Sequence, residues 1–297
     1  MASSPQSLSV ACIGLGKMGS GIAANVQKSG CRLTVYNRTA EKAQPLVVAG
    51  ATLARTPREA AATAEFVVTN LMDDASVLGI VEGPDGVLAG MTTGAVHIGT
   101  TTISPDLSTR LAAMHAANGI HYVAAPVAGR PDAAATGRLF SFVGGKPEAV
   151  ERSRPVIESY APQIFVLGED PAVAMSMKLA ANFFIAALRD LIGQMYVFAE
   201  KRGVDPAFIT GLFKNFMPAS QEYLERISLR RFDQAGFTLD GGLKDVDLVL
   251  EAAREVNVPL PSATLARDKI LEAQERGMGQ LDWSCLTEIT RRRAGQG

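Results

Sequence analysis

Three glycines near the start of the chain, Gly14, Gly16 and Gly19, restrict most strongly what it can fold into. The run Ser9-Val10-Ala11-Cys12-Ile13 before them reads as a strand, and Met18 to Ser29 after them as a helix. A strand, then G-x-G-x-x-G, then a helix is a demanding arrangement. Gly14 permits the tight turn. Gly16 lets a phosphate group approach the backbone closely, and Gly19 lets helix pack directly on strand. The unpaired N–H groups at the helix start then face an anion. Gly14, Leu15, Gly16, Lys17, Met18 and Gly19 are therefore the candidate pyrophosphate-binding residues of a dinucleotide site.

The end of the second strand distinguishes the two nicotinamide dinucleotides. A carboxylate about twenty residues on would hold a ribose 2′-hydroxyl and repel a 2′-phosphate. The sequence has Val35-Tyr36-Asn37-Arg38-Thr39 there. Arg38 can pair with a 2′-phosphate and stack on adenine, and Thr39 adds a hydroxyl donor. Asn37, Arg38 and Thr39 thus predict NADP(H) as cofactor.

The first half alternates short apolar runs with helical stretches, the pattern of a parallel sheet covered by helices. Strands are expected at Arg32–Tyr36, in the run Phe66–Leu71, at Val96–Ile98 and at Tyr122–Ala124. Helices are expected over Thr39–Ala49 and after Pro57. Phe140–Val143 and Ile164–Leu167 are expected to extend the same sheet. Past Gly168 the character changes. Pro171 to Arg202 is rich in Ala, Leu and Met with almost no breaker, so it predicts one long, mostly buried helix. Further helices are expected at Pro206–Asn215, Gln221–Leu229, Leu243–Glu255 and Pro261–Arg276. The expected fold class is α/β: a Rossmann domain with a parallel-rich sheet over residues 1–167, then an all-α domain over 168–297 built on a long interdomain helix. Two domains also suit 297 residues, at about 150 residues per domain.

Composition narrows the partners. The chain is 47% hydrophobic and 20% charged, enough for sizeable cores, with a formal net charge of −1. That balance offers no general attraction for nucleic acid or an acidic membrane surface. Arg291-Arg292-Arg293 reads as a solvated helix end. No uninterrupted apolar stretch of about 18 residues stands out, so no membrane span is expected. The first residues, MASSPQSLSVACIGLG, lack a leader's charged region and an apolar region before a cleavage site, so no signal peptide is expected. Cys12, Cys31 and Cys285 form no close pair, and His97, His115 and His121 are too scattered for a zinc site. A reducing, cytoplasmic setting without a metal is the expectation, with Cys12 in the core.

With those residues placed, the chain resembles the β-hydroxyacid dehydrogenase family over nearly its whole length. The likeness rests on the glycine motif, Thr101-Thr102-Ile103-Ser104-Pro105, Ala125-Pro126-Val127 with Gly129 and Gly137, Met177-Lys178-Leu179 with Asn182, and Phe237 with Leu243-Lys244-Asp245. The resemblance implies that Lys178 is the general acid/base and that Asn182, on the same helix face, orients it or the substrate. It places Leu71, Met72 and Ser76 on the loop covering the cofactor, although the family often has Pro and Asn where Met72 and Ser76 stand. It places Thr102 beside the nicotinamide ribose, Lys244 as a lysine reaching the cofactor from the second domain, and Ala128, Gly129, Arg130 and Phe237 at the substrate. It also implies a homodimer, or a dimer of dimers, with contacts between second domains.

Two departures matter. The family's substrate loop usually reads Asp-Ala-Pro-Val-Ser-Gly-Gly; this one reads Ala124-Ala125-Pro126-Val127-Ala128-Gly129-Arg130. Arg130 either replaces the lost serine and glycine as a bidentate carboxylate clamp or points to solvent. The approach Leu167-Gly168-Glu169-Asp170-Pro171 looks like the related imine reductases, which commonly carry Asp or Tyr where Lys178 stands. The leading expectation is an NADPH-dependent reductase of small aldehydes or keto acids, or the reverse dehydrogenase. An imine reductase is the alternative, and a non-catalytic NADPH-binding module a third reading.

Overall fold

A computed structural model describes residues 8–216 and 221–296; the first seven residues, on which part of the leader reading falls, lie outside the described part. The chain divides into two compact units, one ending at Lys178 and one beginning at Leu179. The first carries β1 (Ser9–Ile13), α1 (Gly19–Lys28), β2 (Arg32–Tyr36), α2 (Gln44–Val48), β3 (Thr52–Leu53), α3 (Pro57–Ala61), β4 (Phe66–Thr69), α4 (Asp74–Val81), α5 (Val87–Gly90), β5 (Val96–Gly99) and α6 (Pro105–Ala117). It continues with β6 (His121–Ala124), β7 (Val127–Ala128), α7 (Pro131–Ala135), β8 (Phe140–Val143), α8 (Pro147–Glu158) and β9 (Gln163–Val166). Helix α9 (Pro171–Lys201) leads into the second unit, which adds α10 (Pro206–Phe216), α11 (Gln221–Ser228), α12 (Leu239–Glu255), α13 (Pro261–Glu275) and α14 (Leu286–Arg293).

Six strands form a parallel sheet in the order β3-β2-β1-β4-β5-β6. The chain reverses its direction of growth between β1 and β4, and in such sheets the crevice at the strands' C-terminal ends binds the ligand. Helices cover both faces, so β1 is apolar on both sides. Val10 and Cys12 enter one core cluster, Ala11 and Ile13 another. Burial pushes the Cys12 thiol far up, so it is an inert core residue.

Phe140–Val143 and Ile164–Leu167 do not extend the main sheet. They contribute β8 and β9 to a separate three-stranded sheet with β7, joined to β6 only by an isolated Ala124–Gly144 bridge. After β6, Ala125 N–H still donates to the Gly99 carbonyl at 2.8 Å, but Pro126, one residue on, has no N–H for a ladder, so the pairing ends there.

A polar chain runs through the first unit's core. The His115 Nδ1–H donates to the Leu111 carbonyl at 2.6 Å. His115 Nε2 therefore accepts from His97 Nδ1–H at 2.8 Å, and His97 Nε2 accepts from the Thr69 hydroxyl at 2.9 Å. One carbonyl at the end thus sets the tautomer of both neutral rings and the direction of every proton. The chain holds Thr69, the last residue of β4.

The second unit, in its described residues, is helical around one apolar core that includes Leu179, Tyr196, Leu224, Val246, Ile270 and Trp283. The basic tail is a solvated helix end only in part: Arg292 and Arg293 are exposed, but Arg291 is not. Arg291 is buried and grips Glu200 with both guanidinium nitrogens, one at 2.7 Å, and Arg293 pairs with Glu272. Its aliphatic stem and its partner let that end of α14 pack inward. Helix α12 starts at Leu239, four residues before its expected start, because the Thr238 hydroxyl caps it by accepting from Gly241 N–H at 3.2 Å. Helix α9 is long and apolar enough, by length and composition, to cross a membrane, contrary to expectation. Its polar positions Lys178, Asn182, Arg189 and Asp190 are all buried, as in a helix packed within protein.

The histidine pair gives stability a pH dependence. Burial, and for His97 also its histidine neighbour, pushes both rings below the ordinary value of 6.5, His115 to about 4. Between those limits the unfolded chain binds protons that the folded one does not. Stability therefore falls as pH drops from 6.5 toward 4, by up to roughly 1.4 kcal/mol per pH unit for each ring. Thermal melts across this window should show a shallower decline for the double variant His97→Val with His115→Leu. An unchanged slope would remove the pair from the account.

Candidate active site

The glycine loop follows from backbone sterics. Gly14 has φ +93° and its N–H donates to the Tyr36 carbonyl at 3.0 Å. A Cβ on Gly14 would lie 2.2 Å from the Asn70 carbonyl oxygen, and one on Gly19 would lie 2.0 Å from the Gly14 carbonyl oxygen. Neither position accepts a side chain. Gly16 is different: a Cβ there would meet nothing within 4 Å, and the residue is exposed. It is an open backbone facing outward, flanked by exposed Lys17, and no side chain caps the helix start at Met18. A pyrophosphate fits such a cradle.

Asn37 has a role beyond the expected one. Its Oδ1 accepts from Leu15 N–H at 2.8 Å and its Nδ2 donates to the Thr39 carbonyl at 2.8 Å. It ties the end of β2 to the glycine loop and fixes the chain that presents Arg38 and Thr39, both exposed.

Beyond β4, two loops are stitched together. Leu71 N–H donates to the Thr101 hydroxyl at 2.8 Å, Asn70 Nδ2 to the Thr100 hydroxyl at 2.8 Å, and the Ser104 hydroxyl to Asp74 at 2.5 Å. Leu71 and half-buried Thr102 sit on this platform, and Met72 is 71% exposed. Ser76 lies here too, but its hydroxyl forms a capping box with Asp73 at the start of α4. Asn70 and Thr101 were not foreseen as site residues, although the Thr101-Thr102 pair was in view.

The loop read as substrate-binding begins at Ala128, the end of β7. Gly129 follows with φ +139°, where a Cβ would strike Leu139 at 2.6 Å. Arg130 is half-buried, with Nε 3.7 Å from Asp132.

Lys178 is 8% exposed on α9, and Asn182 lies one turn further along the same helix, also 8% exposed. In the second unit Asn182 Nδ2 donates to Asp245 Oδ2, which sets the orientation of the amide. The Lys244 ammonium sits 2.8 Å from the other oxygen of Asp245. Asp245 is 3% exposed and is the carboxylate that joins these two candidates. It stood in the recognised motif without an assigned role. Phe237 packs edge-on against Trp283, ring centres 4.8 Å apart, and lies over Gly241. Among the described residues no group of His, Cys, Asp and Glu could hold a metal ion.

Comparison with known proteins assigns a family to the chain. Residues 9–168 match the family model for the NAD binding domain of 6-phosphogluconate dehydrogenase, and residues 173–289 that for the NAD-binding region of NADP-dependent 3-hydroxyisobutyrate dehydrogenase. The chain is 40% identical to an uncharacterized oxidoreductase of Bacillus subtilis, covering 94% of this chain and 98% of the relative. It is 31% identical to 3-sulfolactaldehyde reductase of Escherichia coli, covering 96% and 97%. Among solved structures, 3-hydroxyisobutyrate dehydrogenase of Mycobacterium tuberculosis, determined with L-serine, superposes with a TM-score of 0.83 at 25% identity, covering 96% and 99%.

The three glycines predict different losses. Gly16→Ala should leave the melting temperature within about 2 °C, since a surface change without a clash costs little. It should weaken NAD(P) binding about tenfold or more by obstructing the close backbone approach. Gly14→Ala should lower stability and binding together. Thermal melts and fluorescence titration of each variant check this; Gly16→Ala binding at wild-type strength would refute the cradle.

Proposed function

We propose a specific activity on the premise that this chain belongs to the β-hydroxyacid dehydrogenase family and is an NAD(P)-dependent oxidoreductase of the hydroxyacid dehydrogenase type. It reduces a small aldehyde or keto acid with NADPH, or runs the reverse oxidation. The observation that carries this reading is the buried Lys178 on α9, with Asn182 one turn on and oriented by Asp245.

A nicotinamide cofactor held at the glycine loop, Arg38 and Thr39 would supply the hydride for the carbonyl carbon when bound. Lys178 donates a proton to the carbonyl oxygen as charge gathers there, and the product leaves as the alcohol. Asn182 positions rather than transfers: its amide, held by Asp245, has one defined orientation to offer. Lys244 shares Asp245 with it. Gly129 and Arg130 receive the carboxylate or similar anion of the substrate, with Asp132 the group that Arg130 must give up. NADPH is favoured because Arg38 stands where a carboxylate would otherwise select NADH. Three buried thiols, Cys12, Cys31 and Cys285, suit a reducing cytoplasm.

One screen tests role, cofactor and substrate class together. NADPH and NADH oxidation are measured with semialdehydes, 2-keto acids and cyclic imines, using wild type, Lys178→Ala and Arg38→Ala. Lys178→Ala should lose roughly 10²–10⁴-fold in kcat on carbonyls, with NADPH affinity little changed. Arg38→Ala should raise the KM for NADPH about tenfold or more, for a lost charge-assisted pair, and spare NADH. Full carbonyl turnover by Lys178→Ala would end the assignment. Turnover of iminium ions that survives or improves in Lys178→Ala would support the imine reductase reading, since such substrates arrive already protonated. Cofactor binding without any turnover would leave the binding-module reading.

A second copy of the chain is the proposed partner, as a homodimer or a dimer of dimers. Phe184, Leu191 and Phe198 are 64%, 63% and 71% exposed and recur every seven residues along α9. A seven-residue apolar repeat is the pattern of a helix that meets another helix. Leu191→Glu, at the middle of the row, should shift sedimentation from dimer to monomer at micromolar concentration. A monomeric wild type would reject the proposal.

A further inference from the structure

Helix α7 is five residues long, too short to hold a direction by its own hydrogen bonds. It follows Arg130 directly, so its placement decides where Gly129 and Arg130 stand. Its far end is held by α1, the helix opened by the glycine loop. Asn25 of α1 donates from Nδ2 to the Ala134 carbonyl at 2.7 Å and to the Gly21 carbonyl at 2.8 Å, with the Ala135 carbonyl at 3.4 Å. Helix C-terminal carbonyls need donors from outside the helix, and here another helix's side chain provides one.

The surroundings are cut to allow it. Gly21, one turn before Asn25, brings the two backbones together: a Cβ there would lie 2.7 Å from the Ala134 carbonyl carbon. Gly137, at φ +65°, turns the chain past Asn25, where a Cβ would meet its Oδ1 at 3.2 Å. The loop is fixed from its other end by β7 pairing with β8, Ala128 opposite Phe140.

We infer that Asn25 is a positioning residue that ties the Ala128–Arg130 loop to the cofactor-binding helix, so that one element sets the places of both reactants. The inference rests on the reading that this loop holds the substrate. Asn25 touches neither reactant; it acts through the backbone of α7.

Asn25→Asp is the decisive variant. It keeps the shape and α1 but removes the N–H donors and sets a carboxylate against carbonyl oxygens. Asn25→Ala is made beside it as a check against effects of the new charge. Three quantities are read: hydrogen exchange of amides 132–139, the Kd for NADP+ by fluorescence titration, and KM and kcat for the carbonyl compound with the highest kcat/KM in the screen. In both variants exchange over 132–139 should quicken about tenfold or more, as a local anchor is lost. KM should rise about tenfold, kcat should change less, and the Kd for NADP+ should stay within about twofold. Unchanged exchange, or a KM that stays put while exchange quickens, would overturn the inference. So would a Kd for NADP+ that weakens in step with KM, which would assign Asn25 to the folding of α1 alone. The loop reading has its own readout. In wild type, NADP+ together with that carbonyl compound should slow exchange at 128–130 beyond NADP+ alone. If it does not, the substrate-loop reading fails, whatever Asn25→Asp shows.

Discussion

The close approach of Gly19 to the carbonyl of Gly14 governs the first unit. Helix α1 can leave β1 in its observed direction because no Cβ intervenes at that contact. Once α1 lies there, its start is aimed at the crevice between β1 and β4. Its apolar face closes one side of the sheet through Ile22, Ala23 and Val26, and its Gly21–Asn25 face receives α7. The exposed glycine loop, one core cluster and the place of α7 all depend on this backbone contact. The cost is local and small, since glycine gives up about 1 kcal/mol of helix propensity relative to alanine.

Hydrogen bonds of defined direction finish what that contact begins. Asn37 ties the glycine loop to β2, and Asn70 with Thr101 ties the β4 loop to the β5 loop. The Thr69–His97–His115 chain stands behind them, with its protons ordered by the Leu111 carbonyl. None of these side chains needs to touch a ligand. Each removes a freedom that ligand binding would otherwise have to take away, so binding energy is spent on the ligand rather than on ordering the loop.

The elements readable in advance were those whose periodicity is carried by apolar residues: β1, α1, β2, β4, β5, β6, the long α9, and α10, α11 and α13. Others were announced by signals easy to pass over. Helix α6 starts at Pro105 with Ser104 as its cap, and α4 with the Asp73–Ser76 capping box. The start of α12 was hidden by Gly241-Gly242, a pair that reads as a turn; Gly242 is there because the Trp283 ring leaves no room for a Cβ. The second sheet was misplaced because apolar runs reveal strands but not which sheet they join. At the site, the motif residues could be named in advance but their bonds could not. Asp245 meets Asn182 across 63 residues of sequence, and Asn25 meets Ala134 across 109. A linear pattern has no term for such distances.

The second unit poses a different physical problem. A helix as apolar as α9 has many ways to pack, because shifting it by a turn exchanges one set of apolar contacts for another of nearly equal worth. Its buried polar residues remove that degeneracy. Asn182 must meet Asp245; Arg189 must lie between the rings of Tyr223 and Trp283, 3.5 and 3.9 Å from their centres; Asp190 must meet Lys269; and Glu200 must meet Arg291. Sliding the helix would strand several buried charges at once, each at a cost of several kcal/mol. As pairs they add little net stability, because burying them costs about what their attraction returns. Their contribution is register: four separate fastenings along one helix leave it a single position. That position sets which face Asn182 presents and where it stands against Asp245, to a precision that apolar packing alone does not provide.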